Sequence, residues 1–212
     1  MLTALIDYES GNLHSAQKAF ERMAAEAPNE EVIVTSDPDV LRRADRLVLP
    51  GDGAFPACKA ALVEKTGLYD ALLEAVEIDA KPFLGICVGM QMMASFGHEY
   101  QTTKGLDWIA GDIEPIEPTD LSLKVPHMGW NDLVITGTHP VLAGLRNGDH
   151  AYFVHSYHFV LKDQAHRLAH VDYGAEISAI VSSGTRIGMQ FHPEKSQSTG
   201  LRLISNFLNW RP

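Results

Sequence analysis

The stretch FLGICVGMQ, residues 83–91, is the first place where residue types and spacing suggest chemistry. An apolar run that opens like a buried strand stops at Cys87, with Gly85 before it and Gly89 after. A cysteine that only fills a core needs no glycines around it. One that stands on a tight bend, with backbone packed close on both sides, does. Strand, Gly-Ile-Cys-Val-Gly and helix together make a nucleophile elbow with cysteine in place of serine. Such a bend holds its side chain at the carboxyl edge of a sheet, and a helix N-terminus there favours a thiolate. The N–H of Val88 is placed to donate to a developing oxyanion. Taken alone, the pentapeptide also fits an inert cysteine buried on a bend.

A nucleophilic thiolate needs a base, and the base needs an orienting group. Of ten histidines, His192 in GMQFHPEKS, residues 188–196, has the most suitable context. It ends a strand-like apolar run, and Glu194 follows two residues later. In extended chain, residues two apart share a face, so imidazole and carboxylate can meet, with Pro193 stiffening the link. Alone, His-Pro-Glu also reads as a surface turn. A second oxyanion donor is expected from LPGDGAF, residues 49–55, where Gly51 and Gly53 let backbone amides approach a ligand. The plain alternative is a strand-to-helix turn.

The elements that must position these groups follow from the hydrophobic pattern. Strands are expected at Thr3–Ile6, Glu31–Val34, Asp45–Gly51 and through KPFLGI to Cys87. Helices are expected at Asn12–Ala25, after Pro38, at Phe55–Glu64, Leu68–Ile78 and Val88–Phe96. This alternation predicts a three-layer α/β/α fold with a mostly parallel central sheet. The second half, from DWIAGDIEPI through AYFVHSYHFV to TRIGMQFH, is strand-rich and predicts additional, partly antiparallel strands before a closing helix at Gly200–Trp210. No linker separates the halves, so residues 1–212 are expected to form one domain.

Composition narrows the function. A formal net charge of −10 argues against nucleic acid and against anionic membrane surfaces as partners. Two cysteines, Cys58 and Cys87, make no disulfide framework. The N-terminus lacks signal-peptide character, and no apolar run approaches the roughly 20 residues of a membrane span, so a cytoplasmic setting is expected. No cofactor and no metal are expected. The zinc-type spacings are missing, His155 and His158 fall on opposite faces of a single strand, and His166 and His170 stand too far apart.

GICVGMQ together with FHPEKS resembles the class I, triad-type glutamine amidotransferases. SGNLHS, LPGDGAF, VPHMGWN, YFVHSY and GLRLISNFL narrow the resemblance to the family of glutaminase subunits of imidazole glycerol phosphate synthase, over nearly the whole chain. The resemblance implies that Cys87 attacks the side-chain amide of L-glutamine, with His192 as acid–base and Glu194 as its orienter. It implies an oxyanion site at the backbone of Val88 and the Gly51–Asp52–Gly53 loop, and glutamine recognition by Gln91, Glu99, Ser156 and Tyr157. It further implies that ammonia passes to a separate (β/α)8-barrel cyclase subunit, docked through Asn12, Trp130 and Lys195.

Two positions depart from the family pattern. Asp52 stands where an apolar residue such as valine is more usual, and is expected to face outward and offer only its N–H. Val88 stands where leucine is usual, which leaves its amide untouched. Three rival readings remain: a subunit feeding another synthase, a stand-alone cysteine hydrolase, and a non-catalytic binding subunit. PHMGWN and SGNLHS count against the first, and the complete Cys87, His192 and Glu194 set against the last.

Overall fold

A computed structural model describes residues 1–9, 13–27, 29–120 and 122–212. The first half alternates as β1 (Leu2–Ile6), α1 (Leu13–Ala24), β2 (Glu31–Thr35), α2 (Pro38–Arg43), β3 (Arg46–Gly51), α3 (Phe55–Glu64), α4 (Leu68–Leu73), β4 (Phe83–Cys87) and α5 (Val88–Gln91). The second half holds β5 (Phe96–Gly97), β6 (Thr103–Lys104), β7 (Gly111–Pro115), β8 (His127–Asp132), β9 (Val134–Ile135), β10 (His150–His155), β11 (Tyr157–Leu161), β12 (Arg167–Asp172), β13 (Glu176–Ser183) and β14 (Arg186–Met189). The last helix is α6 (Gln197–Asn209).

The main sheet has eight strands in the order β2-β1-β3-β4-β14-β13-β12-β9. The first five run parallel, and β13, β12 and β9 are added antiparallel. The mixed architecture therefore follows the expected division between the halves. Right-handed crossovers put α1 on one face and α2 to α4 on the other, because β1 to β2 steps in the opposite direction from β2 to β3 and β3 to β4. Helix α6 packs beside α1. A four-stranded sheet, β11-β7-β5-β6, and a two-stranded pair, β10-β8, complete the fold.

Local chemistry explains the element limits. Asp37 caps α2 by accepting the Asp39 N–H, with Pro38 at the first turn. The helix expected through Phe96 is only four residues long. The carbonyls of Met92, Met93 and Ala94 accept the N–H groups of Leu106, Trp108 and Asp107 at 2.7, 2.9 and 3.0 Å, so a returning loop replaces the next helical turn. Leu68–Ile78 is α-helical only to Leu73 and finishes as a π-turn over Glu74–Ile78. The expected strand AYFVHSYHFV breaks at Ser156 into β10 and β11, which belong to different sheets. His155 and His158 thus lie on separate strands rather than on two faces of one. The closing helix starts earlier than expected, at Gln197.

Charge is also buried at the start of the sheet. The Arg46 side chain is fully enclosed, with Nη1 3.1 Å from Glu30 Oε2. Glu30 Oε1 meets Arg211 Nη2 at 3.1 Å. Removing one partner of a buried pair leaves an uncompensated charge. Glu30→Ala is therefore expected to cost about 3–5 kcal/mol, whereas Arg211→Ala, at a half-exposed group, should cost less than about 1 kcal/mol. Denaturant midpoints of the two variants check this, and equal losses would contradict it.

Candidate active site

Cys87 closes β4 with φ 53° and ψ −112°, an unfavourable conformation for a residue with a side chain. Close backbone packing holds it there. A Cβ on Gly85 would lie 2.5 Å from Gly89 O, and a Cβ on Gly51 2.6 Å from Gly89 N. A Cβ on Gly89 would overlap the carbonyl oxygen of Leu49. The glycines around the cysteine are there because α5 rests directly on the main chain of β3 and β4. With only four residues, α5 offers less helix dipole than the expected nine-residue helix would have supplied.

His192 and Glu194 meet with Nδ1 and Oε1 2.8 Å apart, and both side chains are nearly enclosed. The connection is not an extended strand. Strand β14 ends at Met189, and Pro193 starts a 3-10 turn, Pro193–Lys195, which brings the two side chains together. The turn is pinned from two sides. Ser196 Oγ donates to His192 O at 2.7 Å and accepts the Tyr152 N–H at 2.9 Å, and α6 approaches so closely that a Cβ on Gly200 would collide with Pro193 O.

Burial opposes a charge on His192, but its interactions with Cys87 and Glu194 outweigh this and push its pKa up to about 10. With Nδ1 engaged, the nitrogen left to interact with Cys87 is Nε2, which is buried and has no hydrogen-bond partner of its own. Gln190 adds a contact to the sulfur that its place in the sequence does not assign. Fully buried, it donates from Nε2 to Cys87 Sγ at 3.7 Å and accepts from Gln91 Nε2 at 3.1 Å. A polar residue inside the strand-like apolar run that leads to His192, two positions before it, was the signal for it.

A cavity of about 260 Å³ opens at Cys87, lined by Asp52, Gly53, Val88, Gln91, Glu99, Ser156 and Tyr157 among others. Of the anticipated catalytic, oxyanion and substrate residues, His192, Glu194 and Gly51 are not part of the lining, and Gly51 is buried under Val88 and Gly89. Asp52 is exposed at the rim. The Cys58 thiol donates to Asp52 O at 3.8 Å, so the planar peptide directs the Gly53 N–H away from Cys58. Glu99 Oε2 accepts the Phe55 N–H at 2.7 Å, which ties the wall of the cavity to α3. Gln91 Nε2 also donates to Tyr157 O at 3.1 Å. Burial, with the negative charge of Glu99 nearby, raises the pKa of the Tyr157 phenol.

Trp130 is half exposed on β8, and Lys195 is partly buried in the turn after His192. Asn12 lies outside the described residues.

His155 in the cavity wall and His127 beside it form a directed chain. His155 Nδ1 lies 2.8 Å from Tyr157 O, a pure acceptor, so it carries the proton and Nε2 accepts. His127 Nδ1, 3.1 Å from that Nε2, must then donate, which leaves its own Nε2 to accept from Asn131 Nδ2 at 3.3 Å. His127 is stacked between Phe153 and Tyr173, with ring centroids at 4.8 and 4.0 Å. Burial lowers the pKa of His127 to about 4 and that of His155 to about 3.

Both histidines are therefore neutral in the folded chain, while the unfolded chain takes up protons from about pH 6.5 downward. Stability should be intact above that value and fall as the pH drops towards 4. His127→Phe keeps the stack and removes one titrating group, so its stability should fall less steeply over this range. Denaturation curves between pH 7 and 4.5 test this, and parallel slopes in both proteins would refute it.

The family model "Glutamine amidotransferase class-I" matches residues 4–210. The chain is 65% identical over 212 residues to "Imidazole glycerol phosphate synthase subunit HisH" of Ruegeria pomeroyi, covering 100% of both chains. To the same subunit of Cereibacter sphaeroides it is 62% identical, again over 100% of both. Among solved structures, one described as a glutamine amidotransferase superposes with a TM-score of 0.73 at 20% identity, covering 97% of each chain. The glutaminase domain of a Trypanosoma brucei CTPS superposes at 0.64 and 16% identity, covering 99% of this chain and 91% of that one. These two structures show the shared fold. The full-length identities go further: the chain belongs to the class-I glutamine amidotransferases, within the family of HisH subunits of imidazole glycerol phosphate synthase.

Proposed function

We propose that the chain is the glutaminase subunit of an imidazole glycerol phosphate synthase and acts as a single catalytic domain. One observation carries the reading: the strained Cys87 stands beside a buried His192 whose other ring nitrogen is held by Glu194. An imidazolium next to a thiol favours the thiolate, the nucleophilic form. Cys87 Sγ attacks the side-chain carbonyl carbon of glutamine. The C–N bond then breaks, with His192 giving its proton to the leaving nitrogen, and ammonia departs from a glutamyl thioester. Water, deprotonated by His192, attacks the thioester and releases glutamate. Glu194 keeps the ring in one tautomer and stabilises its charge through both steps.

The carbonyl oxygen becomes negative twice in this sequence, and backbone N–H groups of Val88 and of the loop at Asp52 and Gly53 are the donors for it. This role needs only the amide of Asp52, in keeping with a side chain at the solvent-exposed rim. Glu99 would receive the ammonium of the substrate, with Gln91, Ser156 and Tyr157 around the rest of it. Ammonia would then pass to a (β/α)8-barrel cyclase subunit seated against Trp130, Lys195 and Asn12. The half-exposed Trp130 supports this face, since an aromatic ring at the surface is a common interface anchor. No described helix is long and apolar enough to cross a membrane. Both cysteines stand as thiols outside any disulfide, which suits a reducing cytoplasm.

Glutamate release from glutamine is measured on the pure chain, then with the cyclase subunit and that subunit's ligand. Activity should appear or rise by orders of magnitude only with the liganded partner. Robust activity indifferent to the barrel would instead favour the stand-alone hydrolase. Cys87→Ala should abolish glutamine use yet leave partner binding intact, and free ammonia should still support the cyclase step. Glu194→Gln should lower turnover by roughly 10³–10⁴-fold. Glutaminase activity surviving in Cys87→Ala would remove the nucleophile from this scheme.

A further inference from the structure

The four-stranded sheet carries a second group of polar side chains, separate from the lining of the glutamine cavity. Parallel pairing sets Phe96 beside Asp112 and Gly97 beside Ile113. His98 extends β5 by donating its N–H to Ile113 O at 3.0 Å, which brings it next to Glu114. On the other side, antiparallel pairing sets His158 beside Glu114. Strand alternation turns His158 away from the face that Tyr157 occupies. His98, Asp112, Glu114 and His158 thus gather on one face, contributed by three adjacent strands.

The spacing within this group is informative. His98 Nε2 is 3.7 Å from Asp112 Oδ2 and 3.7 Å from Glu114 Oε1. One ligand atom from each of the three residues lies within 4.8 Å of the others. These distances are too long for hydrogen bonds. They are close to the roughly 3–3.5 Å that separates ligands each held about 2.0–2.2 Å from a common zinc ion.

The polarity points the same way. His98 Nδ1 is 3.1 Å from Thr102 Oγ1. With its proton directed there, Nε2 presents a lone pair to the two carboxylates, the arrangement of a metal-ligating histidine oriented by an outer hydrogen bond. Three acceptors then converge with no donor between them. Asp112 Oδ1 and His158 Nδ1 are in addition buried without hydrogen-bond partners.

We propose that His98 Nε2, Asp112 and Glu114 form a binding site for a divalent transition-metal ion, with zinc as the type ion. One imidazole and two carboxylates suit such an ion better than magnesium or calcium, which prefer all-oxygen shells. Spacing along the chain gave no sign of a metal. Strand pairing, which brings the end of β5 beside β7, assembles this group instead.

The test uses the full chain with Cys87→Ala as background, so that the reactive thiol does not compete for zinc. Zinc uptake is read by competition against a chromophoric chelator. Crystals exposed to zinc are measured at its absorption edge. One equivalent should bind, and an anomalous peak should lie between His98 Nε2 and the Asp112 and Glu114 carboxylates. His98→Ala and, independently, Asp112→Asn should each weaken binding by about tenfold or more with circular dichroism unchanged. Failure to take up zinc would overturn the proposal, as would a peak located elsewhere or uptake unaffected by both variants. None of these readouts uses glutamine, so the result is independent of the glutaminase reading.

Discussion

A contact between backbones governs the geometry of the site. Helix α5 rests on β3 and β4 with no side chains between them, because Gly51, Gly85 and Gly89 leave no room for any. That contact forces Cys87 into a positive φ and turns its sulfur out at the carboxyl edge of the sheet. The same edge receives the end of β14, which pairs in register with β4, Gly188 beside Gly85. His192 therefore reaches Cys87 through sheet geometry, although more than a hundred residues of chain separate them. A looser elbow would lose the sulfur's position and the helix start together.

Around this edge, nearly every buried polar group has one fixed direction of donation. Gln190 gives its amide hydrogen to sulfur and takes one from Gln91, and Gln91 in turn also serves the Tyr157 carbonyl. The same carbonyl ends the chain that runs from Asn131 through two neutral histidines. One exception stands out. His192 is enclosed yet held on the charged side by its neighbours, while His127 and His155, only slightly farther back, are held neutral by burial. The difference lies in what faces them: a carboxylate and a thiol in one case, aromatic rings and a backbone carbonyl in the other. Within a short distance the fold thus keeps one imidazole ready to move protons and two unable to.

The parallel half of the fold was legible because its signals are local: apolar runs of strand length, Pro38 at a helix start, and a cysteine framed by glycines. The antiparallel half was legible only as strand-rich. Where a strand breaks, as at Ser156, is decided by which sheet each piece joins, and no local pattern records that. The length of α5 was misjudged for the same reason, since distant N–H groups at residues 106–108 take its next carbonyls. In the site, His192 and Glu194 were found through a short motif, although the turn that joins them differs from the extended chain expected. Gln190 and the His127–His155 pair were missed because their roles come from partners far along the chain.

The position of β14 has a consequence for how the chain is made. This last strand occupies the middle of the main sheet, between β4 and β13. While residues 88–185 are being synthesised, β4 already carries the nucleophile but has no neighbour on that side. An unpaired, fully apolar strand edge invites wrong pairing, and contacts of such long sequence separation form slowly. The half that can fold early is therefore the half without a base, and the nascent protein carries its cysteine as an inert side chain. Chemistry becomes possible only when the final stretch of chain inserts, so the closing of the sheet and the arming of the thiol are a single event.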